Sequence, residues 1–153
     1  MLFLIFHLGE DWYALNTAEV VEVLPRVSWK VIPQAPPGVA GVINYHGTPV
    51  PLIDPKLLSL GQAAERHMST RIILFNYRAS DGVTHLLGLL GEQATNTIRR
   101  ELSDFVDAGV PTDRAPFLGP VTKDERGLIQ LIEPRKLLSP ELCEALFREC
   151  LEI

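Results

Sequence analysis

The feature that most limits the fold is how turn-forming residues punctuate the apolar runs. Twelve prolines and eleven glycines cut the chain into short pieces. Most pieces run about 4–8 residues and are rich in Val, Ile, Leu and aromatics, as short strands are. Residues 2–8 are apolar at every position except His7, so this strand is expected to be buried on both faces. Gly9-Glu10-Asp11 turns the chain, and residues 12–15 return beside it. Asn16-Thr17 caps a single turn before 20–24. Pro25, Pro33, Pro36 and Pro37 break the next stretch into loops. Residues 39–45 and 49–53 read as strands joined around His46-Gly47-Thr48, with a short helical turn over 55–60 and a polar connector over 61–69. Residues 71–77 and 83–90 read as a hairpin whose loop holds Asp81-Gly82, a pair suited to positive φ. Residues 95–100 read as a weaker, separate strand, 101–116 as irregular, and 117–122 with 128–132 as a last hairpin.

A helix closes the chain. Ser139 is a good N-cap, and Pro140 sits where its missing N–H costs nothing. Leu142, Leu146 and Cys150 fall on one stripe, flanked by Cys143, Phe147 and Leu151, so the helix is expected to dock on the strands. The expected fold is all-β: one domain over 1–153, built as two five-stranded barrels sharing a hydrophobic core. The connector 61–69, near the middle, is expected to be the break between the two barrels, and the helix lies at the end. No repeat or low-complexity segment is present.

Charge and cysteine content narrow the partners. Fourteen Lys and Arg against nineteen Asp and Glu give a net charge of −5. That argues against nucleic-acid binding, which runs on neutralising phosphates, and against an anionic membrane surface. No apolar stretch is long enough to insert in a membrane, and the N-terminus lacks the basic region and cleavage site of a signal peptide. On a helix, Cys143 and Cys150 would stand about 10 Å apart, too far for a disulfide. Reduced, core-facing thiols in a cytoplasmic protein are the expectation.

The residues do not assemble a catalytic or metal-binding set. His7, His46, His67 and His85 make no ligand spacing with one another, with Cys or with carboxylates, so no metal and no cofactor is expected. His85 reads as a structural, hydrogen-bonded imidazole and His67 as a solvated loop residue. Asp54 reads as the cap of the 55–60 turn, and Glu92 has no evident nucleophile beside it. Enzymes need several groups converging, so no enzymatic activity is expected.

Two stretches carry a resemblance. Gly41-Val42-Ile43-Asn44-Tyr45-His46-Gly47-Thr48-Pro49-Val50-Pro51-Leu52-Ile53-Asp54 resembles the central signature of CheW-like domains, roughly G-V-x-N-x-R-G-x-x-V-P-x-x-D-L. The opening strands, the run from Pro33 to Pro37 and the closing 127–132 with Lys136-Leu137-Leu138 match as well, so the likeness runs from about Leu2 to Leu138. It implies SH3-like barrels and a non-catalytic adaptor. It also implies partners: the cytoplasmic tip of a chemoreceptor and the regulatory domain of a CheA-type histidine kinase. The chain leaves no room for a kinase or receiver domain, which suggests a free-standing coupling protein recruited from the cytoplasm to receptor arrays. By position in the family pattern, Val20, Glu22, Gly41, His46 and Gly47 would face partners. Three departures mark a divergent member: His46 for the usual Arg, Asp54-Pro55 for Asp-Leu, and Gly91-Glu92-Gln93-Ala94 for Val-Asp-x-Val. The competing readings are an accessory scaffold competing at the array, a small-molecule-binding barrel, an oligonucleotide-binding barrel, and an enzyme using Asp54, His85 or Glu92.

Overall fold

A computed structural model describes residues 1–25, 28–79, 82–111 and 115–147. Its strands are β1 (Leu2–Leu8), β2 (Asp11–Asn16), β3 (Val20–Pro25), β4 (Val39–Tyr45), β5 (Thr48–Ile53), β6 (Thr70–Arg78), β7 (Thr84–Arg99), β8 (Leu118–Asp124) and β9 (Gly127–Ile132). Two helices, α1 (Pro55–Leu60) and α2 (Pro140–Phe147), and three single 3-10 turns complete it.

The hydrogen-bonded order is β3-β6-β7-β1-β2-β9-β8, with β5 also pairing β7 in parallel and β4 pairing β5. One strand, β7, therefore belongs to two barrels. Its first part lies between β6 and β5, and its last part pairs with β1. The central barrel is β3-β6-β7-β5-β4, and Lys30, just past β3, closes it with two backbone bonds of 2.9 Å to Val42 on β4. The terminal barrel is β7-β1-β2-β9-β8, and Val106, past β7, closes it with two bonds of 2.8 Å to Val121 on β8.

Two-residue alternation in apolar strands builds three cores. In β1, Phe3 and Ile5 fill the terminal barrel while Leu4 and Phe6 enter a shared core between the barrels. In β6, Ile72 and Leu74 fill the central barrel while Ile73 and Phe75 enter the shared core. This is why residues 3–6 of β1 and 72–75 of β6 have no polar face. Helix α2 covers the shared core with Leu142, and Cys143, Leu146 and Phe147 pack at its edge. Its cap is Ser139, whose Oγ accepts from the Leu142 N–H at 3.1 Å. The expected stripe positions Cys150 and Leu151, and Asp81 of the expected Asp-Gly turn, lie outside the described residues.

Two expectations need correction. Residues 83–90 and 95–100 are not separate strands; Gly91-Glu92 interrupts the apolar pattern without ending β7. Gly91 is required there because a Cβ would stand 2.5 Å from the Phe6 ring. Ile5 pairs with Asn96 and His7 with Glu92, so the surplus residues sit on β7. They include Gln93 and Ala94 at φ +68° and +39°. This bulge turns the strand from one barrel into the next. The connector 61–69 does not divide the barrels either, since it joins α1 to β6 within the central one.

Candidate functional site

The β4–β5 hairpin places the first candidate residues. Tyr45 pairs with Thr48, leaving His46 and Gly47 as a two-residue turn at φ +51° and +88°. Two positive φ values make the turn type whose twist matches the strands. Asn44 fixes it by accepting the Gly47 N–H at 2.8 Å through Oδ1. Both turn residues are exposed. The His46 ring meets Tyr45 edge-on, 4.5 Å between centroids.

Strand β3 brings up the second group. Val20 pairs with Phe75 and Glu22 with Leu74, so Val21 is an extra residue in a bulge. Val20 is half-buried against the shared core, whereas Val21 is 45% exposed and Glu22 is exposed. The Tyr45 hydroxyl donates to Glu22 Oε1 at 3.3 Å, joining β3 to the tip of β4. Lost hydration first, and then the charge and hydrogen bond of Glu22, push the Tyr45 phenol above its ordinary pKa. Glu22, Tyr45 and His46 thus form one polar and aromatic face, with the exposed Val21 next to Glu22 in the chain. Sequence reading placed neither Val21 nor Tyr45 among the partner-facing residues, because a valine in a strand and an aromatic before a turn both read as core.

Gly41 sits elsewhere. It is buried, and a Cβ would collide with the Lys30 carbonyl oxygen and stand 2.8 Å from Trp29 Cδ1. Its missing side chain lets the Trp29-Lys30 segment close the barrel over β4. Trp29 packs half-buried against the central-barrel core, with the Arg66 guanidinium 3.9 Å above its ring.

Other singled-out residues fall into structural positions. Asp54 is 1% exposed; Oδ1 accepts from the Lys56 and Leu57 N–H groups and Oδ2 from Ala64 N–H. It caps α1, as its place before Pro55 indicates. His85 stacks on Phe147 at 3.8 Å, and its buried Nε2 has no partner among the described residues, contrary to the hydrogen-bonded imidazole expected. Glu92 and His67 are not isolated: Glu92 is 4% exposed and lies between His7 at 3.0 Å and His67 at 3.3 Å. Among the described residues no group of His, Cys, Asp and Glu is arranged to hold a metal ion.

An apolar groove of about 430 Å³ runs between the central barrel's Pro36, Pro37 and Leu58 and the later elements' Phe117, Leu137 and Leu142. The central barrel itself is filled: Ile43, Val50, Leu52, Ile72, Leu74 and Leu90 are all at most 4% exposed.

Two filled barrels with a shared strand, an exposed hairpin face and an outer groove define a domain built to present surfaces. Comparison with known proteins places it: residues 2–141 match the CheW-like domain, and the chain belongs to that family of non-catalytic scaffolds. It is 31% identical to a chemotaxis protein CheW of Klebsiella aerogenes, covering 91% of this chain and 82% of that one. It is 27% identical to a chemotaxis protein CheW of Bacillus subtilis, over 90% and 86% of the two chains. The crystal structure of the scaffolding protein TtCheW from Thermoanaerobacter tengcongensis has the same fold, with a TM-score of 0.78 at 24% identity over 92% of this chain and 89% of that one.

Proposed function

We propose that this domain is a coupling scaffold joining the cytoplasmic tip of a chemoreceptor to the regulatory domain of a CheA-type histidine kinase. The observation that carries the reading is the family match over nearly the whole chain, with relatives named as chemotaxis proteins. The partner-facing surface is Val21, Glu22, Tyr45, His46 and Gly47. Val20 supports it from the shared core, and Gly41 supports it by seating Trp29 and Lys30 against β4. The groove beside Leu58 and Leu142 offers an apolar slot suited to a helical hairpin. Array contacts smaller than the usual 1,200–2,000 Å² or so gain strength by repetition. The scaffold works in the cytoplasm at receptor arrays; among the described residues no helix is long and apolar enough to cross a membrane.

Size-exclusion chromatography with light scattering tests this. The chain is mixed with the regulatory domain of the CheA-type kinase from the same genome, then with a receptor-tip fragment. Complexes with both are expected. Binding the receptor alone would make it an accessory scaffold that competes at the array, and binding neither would refute the coupling role.

A further inference from the structure

Residues 61–69 have no regular structure, yet polar contacts fasten them to the barrel. Ala64 N–H donates to Asp54 Oδ2 at 2.8 Å, and the Arg66 guanidinium covers the Trp29 ring. His67 N–H donates to Thr70 Oγ1 at 2.8 Å, and Arg71 reaches back to the Met68 carbonyl at 2.8 Å. The apolar side chains at either end are not anchors: Leu60 is 64% exposed and Met68 76%. A segment held this way opens at lower free energy than the strands beneath it.

One fastening depends on charge. Glu92 lies buried where β7 passes between the barrels, with a histidine at each oxygen. His7 Nδ1 is 3.0 Å from Glu92 Oε2 and 3.0 Å from the Gly9 carbonyl. With the carboxylate ionised, both neighbours accept, so that nitrogen carries a proton whether the ring is neutral or charged. His67 Nε2 faces Glu92 Oε1 at 3.3 Å and Glu65 Oε2 at 3.6 Å. A charged ring must donate there. A neutral ring can move its one proton to Nδ1 and turn a lone pair toward the carboxylates.

We infer that residues 61–69 form a strap latched by the charged His67–Glu92 pair, and that loss of the His67 proton releases it, uncovering the Trp29 indole and the buried Glu92. The charged and titratable groups around the latch are His7 on β1, Glu65 and Arg66 on the strap, Asp54 at its root and Arg71 on β6. Beyond His7, Trp12 stacks on its ring and carries Arg126 on the β8–β9 turn. Arg126 is committed to Asp124, and Arg71 to the Met68 and Thr70 carbonyls. The sign is set by both partners. The pair exists while Glu92 is ionised and His67 is protonated, so the latch holds while the ring keeps its second proton and weakens when rising pH removes it. The strap does not depend on the identity of any binding partner.

Acrylamide quenching of Trp29 in the Trp12→Phe chain reads the strap directly. The open population is expected to be about fivefold higher near pH 8.5 than near pH 5.5, the scale of a part-exposed ion pair. Glu92→Gln is expected to leave Trp29 accessible at both pH values, and His67→Lys, a permanent cation, to keep it covered at both. Because Glu92→Gln alters a buried group and risks the fold, His67→Lys decides independently. Quenching of the parent that ignores pH, or a pH step that survives in His67→Lys, would overturn the inference.

Discussion

His46→Gly separates the surface from the scaffold. His46 holds φ +51°, a left-handed conformation that costs an L-residue about 1–2 kcal/mol and glycine almost nothing. Relief of that strain is opposed by glycine's greater freedom in the unfolded chain, about 0.4–1 kcal/mol. It is also opposed by loss of the edge-on contact with Tyr45, about 0.5 kcal/mol at an exposed site. These contributions nearly cancel, so stability should stay within about 1 kcal/mol of the parent, or about 2–4 °C in melting temperature at this size. The imidazole is gone, however, and its neighbours Tyr45 and Glu22 remain in place. If the hairpin tip is a contact anchor, affinity for a partner should fall about tenfold, the equivalent of about 1.4 kcal/mol. Urea unfolding supplies the first quantity, and titration calorimetry with the receptor-tip fragment and the kinase regulatory domain supplies the second. Unchanged affinity for both partners would remove His46 from the surface. A stability loss above about 2 kcal/mol would refute the backbone argument.

The geometry sets three further outcomes. Asp54→Ala strips a buried carboxylate from three backbone donors and should cost about 2–4 kcal/mol in urea unfolding, more than a surface cap would. Gly41→Ala forces the Lys30 carbonyl away from β4 and should cost about 1–3 kcal/mol, with a loss of amide protection at Lys30 and Val42 measurable by hydrogen exchange. Tyr13 and Tyr77 should resist ionisation in an ultraviolet titration, because burial first pushes each phenol up to about 12, with Asp11 adding to Tyr13 and the Cys143 thiol to Tyr77. Their folded values exceed the unfolded value near 10, so the stability they contribute is intact below pH 10 and is lost as pH climbs toward 12.

Local chemistry was legible where neighbours in sequence are neighbours in space. Asp54 before Pro55 announces a capped turn, and the turn spans Pro55–Leu60 as read. Residues 2–8, apolar on both faces, announce a strand between two cores. Reading failed where a residue answers to a distant one. Gly91-Glu92 looks like a break, but Gly91 makes room for Phe6 on β1 and Glu92 meets His7 on that same strand. No local pattern contains that pairing, because it exists only once β1 lies beside β7. Gly41 is the same case: the signature marks it, but its neighbours Trp29 and Lys30 explain why a side chain is excluded.

The closure of the central barrel ties the candidate face to the strap. Trp29 and Lys30 are consecutive. Lys30 bonds β4 at Val42, three residues before Tyr45, while Trp29 lies under Arg66 of the strap. Each bond of the Lys30 bridge is 2.9 Å long and depends on the absence of a Cβ at Gly41. Release of the strap would therefore remove the cover from a residue next to one that helps fix β4, the strand that carries Tyr45 to Glu22. The strap meets the terminal barrel at β7, through the His67–Glu92 pair and the Ser69 carbonyl that accepts the Gln93 N–H, whereas the bridge that closes that barrel joins Val106 to Val121. Any conformational response to the latch should accordingly appear in β4 and the hairpin tip before it appears in β8. Residue-resolved hydrogen exchange at pH values on either side of the imidazole range would detect this order, and equal loosening of both bridges would refute it.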